Sequence, residues 1–213
     1  MAENRVAAYV DGFNLYYGLR SKGWGHFYWI DPYVLIEGLR AEGQRVVAVK
    51  YFTARVRQPD DKRRRQSAYL DALRAVSQVE IIQGKFYRKS RRCIRCGGEW
   101  PTFEEKMTDS AIAAHLVADA FLGVFDQAVL VGGDTDIVPA IKVVRRHFPN
   151  KRLMAWFPQN RKNQEVADSC HDSFQINGDH LRDALMPDTI EIDVGVYVKR
   201  PVEWVYNKRR GHR

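Results

Sequence analysis

No stretch of about 18 consecutive apolar residues occurs in the 213-residue chain, and no N-terminal apolar run has the length of a signal peptide. That absence sets the expectation of a cytoplasmic protein with no membrane partner. Cysteine is scarce as well. Three cysteines, an odd number, argue against a disulfide framework and leave Cys93-x-x-Cys96 to be explained by its chemistry. Also missing is a Gly-x-Gly-x-x-Gly after the first apolar run, which disfavours a dinucleotide-binding protein.

What is present is a globular composition, 45% hydrophobic and 12% aromatic, in a chain of a length that fits one domain with a small insertion or tail. Thirty-four basic residues against 26 acidic ones give a net charge of +8, which favours polyanionic partners through phosphate contacts and counterion release.

The informative stretch is Val129 to Lys142. An unbroken apolar run from Ala128 to Val131 reads as a strand buried on both faces, followed by Gly132-Gly133 and then Asp134-Thr135-Asp136 at the strand tip. Ile137, Ile141 and Val144 recur at helical spacing, with Asp136 as the expected N-cap. Arg5 to Val10 repeats this architecture, ending in Asp11-Gly12-Phe13-Asn14 before the helical Leu15, Tyr16 and Leu19. Side chains at neighbouring strand tips of a parallel sheet converge on one crevice, which is where ligands bind in open α/β sheets.

Between these two stretches the alternation continues. Residues 21 to 30 form an aromatic loop whose rings can be buried or can stack on bases. Asp31-Pro32 opens a helix through Leu39, and Val46 to Phe52 is a strand. A helix from Pro59-Asp60-Asp61 carries Lys62-Arg63-Arg64-Arg65, and Val79 to Tyr87 is a third strand. Arg88 to Trp100 breaks the composition. Its basic run, with Arg88, Arg91 and Arg92 as candidate nucleic-acid contacts, leads into Cys93-x-x-Cys96-Gly, two thiolates spaced to hold half of a tetrahedral Zn²⁺ site. Structural free thiols and a redox pair are the alternatives, and neither completion by Cys170 and His171 nor by a second subunit has support from spacing. A helix beginning near Thr108-Asp109, capped by one of them, buries Ile112, Leu116 and Ala120. Strands over residues 151–157 and 174–177 and a short helix over 178–186 follow. The tail has one strand-like segment, Thr189 to Val198, and a basic end, residues 207–213, that reads as a solvated terminus.

Asp11, Asp109, Asp134 and Asp136 thus stand at two strand tips and one helix start in a β/α alternation. Clustered carboxylates repel, and a hard divalent cation such as Mg²⁺ or Mn²⁺ removes the conflict. The chemistry that follows is metal-assisted phosphodiester hydrolysis. A phosphatase of the haloacid-dehalogenase type needs Asp-x-Asp after the first strand, where this chain has Asp11-Gly12-Phe13.

Val10-Asp11-Gly12-Phe13-Asn14-Leu15-Tyr16, Glu105-Lys106-Met107-Thr108-Asp109 and Val131-Gly132-Gly133-Asp134-Thr135-Asp136-Ile137-Val138-Pro139 resemble, in order, the three signature stretches of the NYN domain family, relatives of the PIN nucleases. The resemblance implies a three-layer α/β/α sandwich with a mainly parallel sheet over residues 1–186, with a knuckle insertion at 88–103 and a C-terminal extension at 187–213. It also implies a metal-dependent ribonuclease acting on RNA. Asp11, Asp109, Asp134 and Asp136 match its acidic, metal-binding positions, and Asn14 matches an amide that positions a ligand or the scissile phosphate. One departure is His115, six residues after Asp109 where many members place a further acid; imidazole suits Zn²⁺ or Mn²⁺ better than Mg²⁺. The alternative is a non-catalytic RNA-binding or regulatory module on the same fold. A homo-oligomer is compatible with the sequence and not required by it.

Overall fold

The computed structural model describes residues 3–205, with the side chains of residues 86–88, 91 and 101–106 left out of the description. The first strand, β1 (Asn4–Asp11), lies at the centre of a seven-stranded sheet and shows why that position suits it. Val6, Ala8 and Val10 point into one apolar core, while Ala7 and Tyr9 point into a second core on the opposite face. A strand buried on both faces has no polar side to offer water, hence its continuous apolar run.

From β1 the chain passes through α1 (Gly12–Ser21), a 3-10 turn (Gly25–Trp29) and α2 (Pro32–Leu39) to β2 (Gln44–Ala54), then through α3 (Asp60–Val76) to β3 (Val79–Arg92). β2 pairs parallel with β1, and β3 pairs parallel with β2. The helices of this half cover one face, with Leu15, Leu19, Leu35, Ile36, Leu70 and Leu73 in the shared core. As expected, Asp31 caps α2 by accepting from the Tyr33 amide (2.8 Å), with Pro32 in its first turn.

The third strand runs five residues past its expected end at Tyr87 and forms an antiparallel ribbon with β4 (Glu99–Lys106), the Cys93–Gly98 segment being its tip. A Gly97 N–H to Cys93 O bond (2.9 Å) and a Cys93 N–H to Gly98 O bond (2.8 Å) close that tip. The chain then enters α4 (Thr108–Phe121), β5 (Gln127–Val131), α5 (Val138–His147), β6 (Arg152–Phe157), α6 (Gln164–Ser169) and β7 (Asp172–Gln175). Strands β5, β6 and β7 add parallel on the far side of β1, giving the order β4-β3-β2-β1-β5-β6-β7. Here Ile112, Leu116, Ile141, Val144 and Val166 fill the second core, so α4, α5 and α6 form the third layer. The fold is therefore the expected α/β/α sandwich, parallel except for β4.

The remaining helix, α7, is shorter than the sequence suggests (Gly178–Arg182), and the single strand expected in the tail is a hairpin of β8 (Thr189–Asp193) and β9 (Val196–Lys199). This tail joins the first core through Met186, Ile190 and Trp204. Residues 207–213 lie outside the described residues.

Candidate active site

The strand order reverses between β1 and β5: connections from β1 lead away in one direction and those from β5 in the other. Such a switch point leaves a crevice beyond the carboxyl ends of the strands. Val10 pairs in register with Val131, so Asp11 emerges beside Gly132, where an added Cβ would lie 3.3 Å from the Asp11 Cβ. Asp11, Asp109 and Asp134 line one small cleft here, floored by Tyr9, Ile112, Leu130 and Ile137.

Each acid reaches the cleft by a different local device. Asp11 ends β1 and caps α1, accepting from the Asn14 amide (2.9 Å). Asp134 follows the Gly132-Gly133 turn and caps a 3-10 turn (Thr135–Ile137) by accepting from the Asp136 amide (3.1 Å). Asp136 is thus not the helix cap the sequence suggests. It is exposed and lies outside the set of residues lining the cleft. Asp109 sits in the first turn of α4, and neither it nor Thr108 is that helix's N-cap. The cap is Met107, whose left-handed backbone (φ 82°) turns the chain sharply from the ribbon into the helix.

Asn14 bridges the two strand tips, its Oδ1 accepting from the Gly133 amide (3.2 Å). A Cβ at Gly133 would meet the Arg161 carbonyl oxygen at 1.9 Å, so only glycine permits this approach of the 158–163 loop. Arg161 itself was not singled out from the sequence. Its guanidinium stands over the Tyr17 ring (5.8 Å to the centroid), and its buried Nε has no hydrogen-bond partner.

Asp11 is 9% exposed, and burial, reinforced by the negative charges of Asp109 and Asp134, pushes its carboxyl up to about 7 against the opposing backbone hydrogen bonds. Among the described residues no three His, Cys, Asp or Glu side chains are drawn together closely enough to form a ready-made metal site. The acids share a cleft without converging on a point. Their donor set nevertheless fits a hard cation: three carboxylates, neither sulfur nor nitrogen, and one proton held at Asp11 that a cation would displace.

His115 turns away from this set. Its Nδ1 lies 3.1 Å from the Lys50 ammonium, which has only protons to give, so Nδ1 is the acceptor; the ring packs edge-on against Phe52. Lys50 also donates to Asp119 Oδ2 (2.6 Å), which accepts from the Tyr9 hydroxyl too (2.7 Å). The sequence reading missed this buried group. The available signals were a lone lysine in the apolar run Val46 to Phe52 and an acid three residues after Leu116, on the buried stripe of α4.

Cys93 and Cys96 are free thiols at the ribbon tip, and Cys93 is pushed down, chiefly by hydrogen bonds from backbone at Cys96 and Arg95. No third His, Cys, Asp or Glu joins the pair among the described residues. Cys170 does not complete it, because it is buried in the second core with its thiol pushed up to about 12. His171 Nδ1 accepts from the Leu153 amide (3.0 Å). Of the candidate nucleic-acid contacts, the Arg88 and Arg91 side chains lie outside the described residues, and Arg92 donates to the Gly97 carbonyl (3.3 Å).

Across the first turn of α1 from the acids lies a second cavity of about 130 Å³, walled by Phe13, Tyr16, Tyr28, Tyr51, Tyr69 and Trp204. Thus two adjoining sites flank one helix start, one acidic and one aromatic. No helix among the described residues is long and apolar enough to cross a membrane.

The NYN domain model matches residues 5–177. A curated relative, 6-hydroxy-3-succinoylpyridine 3-monooxygenase HspA of Pseudomonas putida (strain DSM 28022 / S16), is 30% identical over 198 residues, 76% of this chain. The chain spans 62% of that relative's length. Among solved structures, a protein of unknown function, VPA0982 from Vibrio parahaemolyticus RIMD 2210633, superimposes with a TM-score of 0.55 at 19% identity, covering 87% of this chain and 98% of that one. This last likeness speaks to the fold alone.

Proposed function

The chain belongs to the NYN domain family, and from that premise we propose that it is a metal-dependent ribonuclease that hydrolyses RNA phosphodiester bonds at the Asp11, Asp109 and Asp134 cleft. The observation that carries this reading is the unresolved charge at the cleft. Asp11 is buried beside two other acids and holds its proton up to about pH 7, a poor arrangement for stability and a suitable one for receiving a divalent cation. Mg²⁺ or Mn²⁺ bound there supplies an activated water and offsets charge on the phosphate.

The protein's own groups do the rest. Asp11, Asp109 and Asp134 would hold the cation, with Asp11 ionised. Asn14 has its Oδ1 committed to Gly133, leaving its NH₂ to donate to a phosphate oxygen. Arg161, whose backbone carbonyl packs on the Gly133 turn and whose guanidinium stands over Tyr17, brings a positive charge toward the RNA backbone. Asp136 on the exposed turn orients water at the rim. The basic excess of the chain draws the polyanion toward an otherwise repulsive acidic cleft. Zn²⁺ at Cys93 and Cys96 would need ligands from beyond the described residues, and RNA contacts from Arg88, Arg91 and Arg92 belong to the same ribbon.

The test is cleavage of a labelled single-stranded RNA by purified protein with Mn²⁺ or Mg²⁺, beside an EDTA control and the Asp134→Asn variant. Metal-dependent cleavage that a folded Asp134→Asn variant lacks supports the ribonuclease. RNA binding with no cleavage in any metal moves the assignment to a non-catalytic RNA-binding module.

A second reading is an oxygenation like that named for the Pseudomonas relative, favoured by one observation: the aromatic cavity can seat a pyridine ring. It requires dioxygen and a two-electron reductant. Incubation of the protein with 6-hydroxy-3-succinoylpyridine, reduced nicotinamide and dioxygen tests it by product mass.

A further inference from the structure

We infer that the aromatic cavity beside the acidic cleft is a base-binding subsite that takes one pyrimidine ring of a single-stranded RNA; the inference rests on the ribonuclease reading. Its size is the first argument. At about 130 Å³ it is close to the roughly 150 Å³ known to accommodate one benzene ring in a protein core, a volume that suits a single six-membered ring.

Its chemistry is the second. Tyr16 and Tyr28 pack with ring centroids 4.6 Å apart, and Tyr28 meets Trp204 edge-on at 5.5 Å, so the walls are π-faces of the kind on which bases stack. The buried Thr53 hydroxyl oxygen accepts from Gln66 Nε2 (3.3 Å), leaving its own proton for a pyrimidine carbonyl. The Gln66 amide is spent within the protein, on the Val56 amide, the Ala54 carbonyl and Thr53.

Charge at the mouth is the third argument. Arg20, Lys62 and Arg65 all line the cavity. Arg65 is neutralised by Asp61 (2.7 Å) and Glu203 (3.0 Å), whereas neither Arg20 nor Lys62 forms an ion pair with a described residue. Both remain to meet the phosphates flanking a bound base.

Placement is the fourth. Gly12 lines the cavity and directly follows Asp11, and an added Cβ there would lie 2.5 Å from Tyr51 Oη and 2.8 Å from the Phe52 carbonyl oxygen. The lining of the base subsite and the first carboxylate are therefore adjacent residues of the chain. A nucleotide whose base enters the cavity brings its phosphate toward the cleft.

The experiment is a calorimetric titration of the full chain in EDTA with uridine 5′-monophosphate, adenosine 5′-monophosphate, uridine and nicotinate. We expect the uridine nucleotide to bind at least about tenfold tighter than the adenosine nucleotide. Tyr28→Ala is expected to abolish that preference. Lys62→Ala, at an exposed helical position, is expected to weaken the nucleotide severalfold and leave uridine unchanged. Equal binding of the two nucleotides, or indifference to both substitutions, overturns the inference. So does nicotinate binding without uridine binding, which gives the cavity to a small heteroaromatic acid. The two readings fail separately. Metal-dependent RNA cleavage without pyrimidine preference beside the scissile bond removes the subsite and keeps the nuclease, whereas uridine-nucleotide binding by a protein that cleaves no RNA does the reverse.

Discussion

Tyr9 and Asp11 sit two residues apart on the same face of β1, and the buried carboxylates associated with them have opposite surroundings. Asp119, which accepts from Tyr9, also has the Lys50 ammonium at 2.6 Å. Asp11 has two backbone amides and two further acids. One carboxylate is compensated by a cation and the other is left in conflict, the surroundings that the proposed metal site would need. Removing a group should therefore have opposite effects in the two places.

The largest effect is expected on catalysis at the uncompensated acid. Asp11→Asn should lower metal-dependent RNA cleavage by about a thousandfold, the equivalent of several kcal/mol of lost charge stabilisation, as read from single-turnover rates in saturating Mn²⁺. A variant that cleaves at the wild-type rate would take Asp11 out of the site.

Next comes the compensated pair. Lys50→Met should destabilise the protein by about 3–5 kcal/mol in urea unfolding, because Asp119 is then buried with no cation. Adding Asp119→Leu should restore most of that loss. If the double variant is no better than the single, the pair is not coupled as described.

The comparison sharpens with pH. Asp11 is held above its unfolded value, so the folded state keeps a proton that the unfolded chain releases; this contribution favours folding at low pH and is lost as pH rises from about 4 to about 7. In EDTA at pH 8, Asp11→Asn should thus be more stable than wild type by roughly 2–4 kcal/mol, with no advantage at pH 4. Cleavage by the wild type should rise through pH 7 as Asp11 loses its proton, though added metal moves that midpoint down. An Asp11→Asn variant less stable than wild type at pH 8 would contradict the burial argument.

The smallest effect is expected at the rim. Asp136→Asn should change the cleavage rate by less than about tenfold, since Asp136 lies outside the cleft lining while its backbone amide still donates to Asp134. A loss as large as that at Asp11 would mean that the turn closes on the metal.

Much of this was legible in the chain. Apolar runs that meet an acid at their end, as at Val10-Asp11 and Val131 to Asp134, indicated buried parallel strands with acidic tips, because both patterns are local in the chain. Asp11 and Asp134 line the cleft for that reason, and Asp109 joins them from the first turn of α4. What was not legible depends on partners distant in sequence. Lys50 and Asp119 each stand at a buried position, and only the pairing of β2 with α4 in space shows that they compensate one another. The ribbon register of β3 with β4 turns an apparent loop into strand, and Trp204, in a tail without periodicity, is buried by the first core. Even within the site, the two-residue shift that gave the cap to Asp134 and left Asp136 exposed follows from a 3-10 geometry that periodicity does not distinguish from the start of an α-helix.

The pairing of Val10 with Val131 also divides the site into two timescales. Asp11 is attached to the central ladder of the sheet, where amides exchange with solvent only through global opening. Asp134 is held by an exposed turn closed by its own bond from the Asp136 amide and by a Val138 N–H to Thr135 carbonyl bond, of the kind that opens by local fluctuation. In hydrogen-exchange terms the Val10 amide should be protected to the limit set by global stability, and the Asp136 amide should exchange many orders of magnitude sooner. A cation bound between them would have one fixed wall and one that opens repeatedly, so its release, and the turnover that depends on it, would follow the opening rate of three residues and not the stability of the sheet.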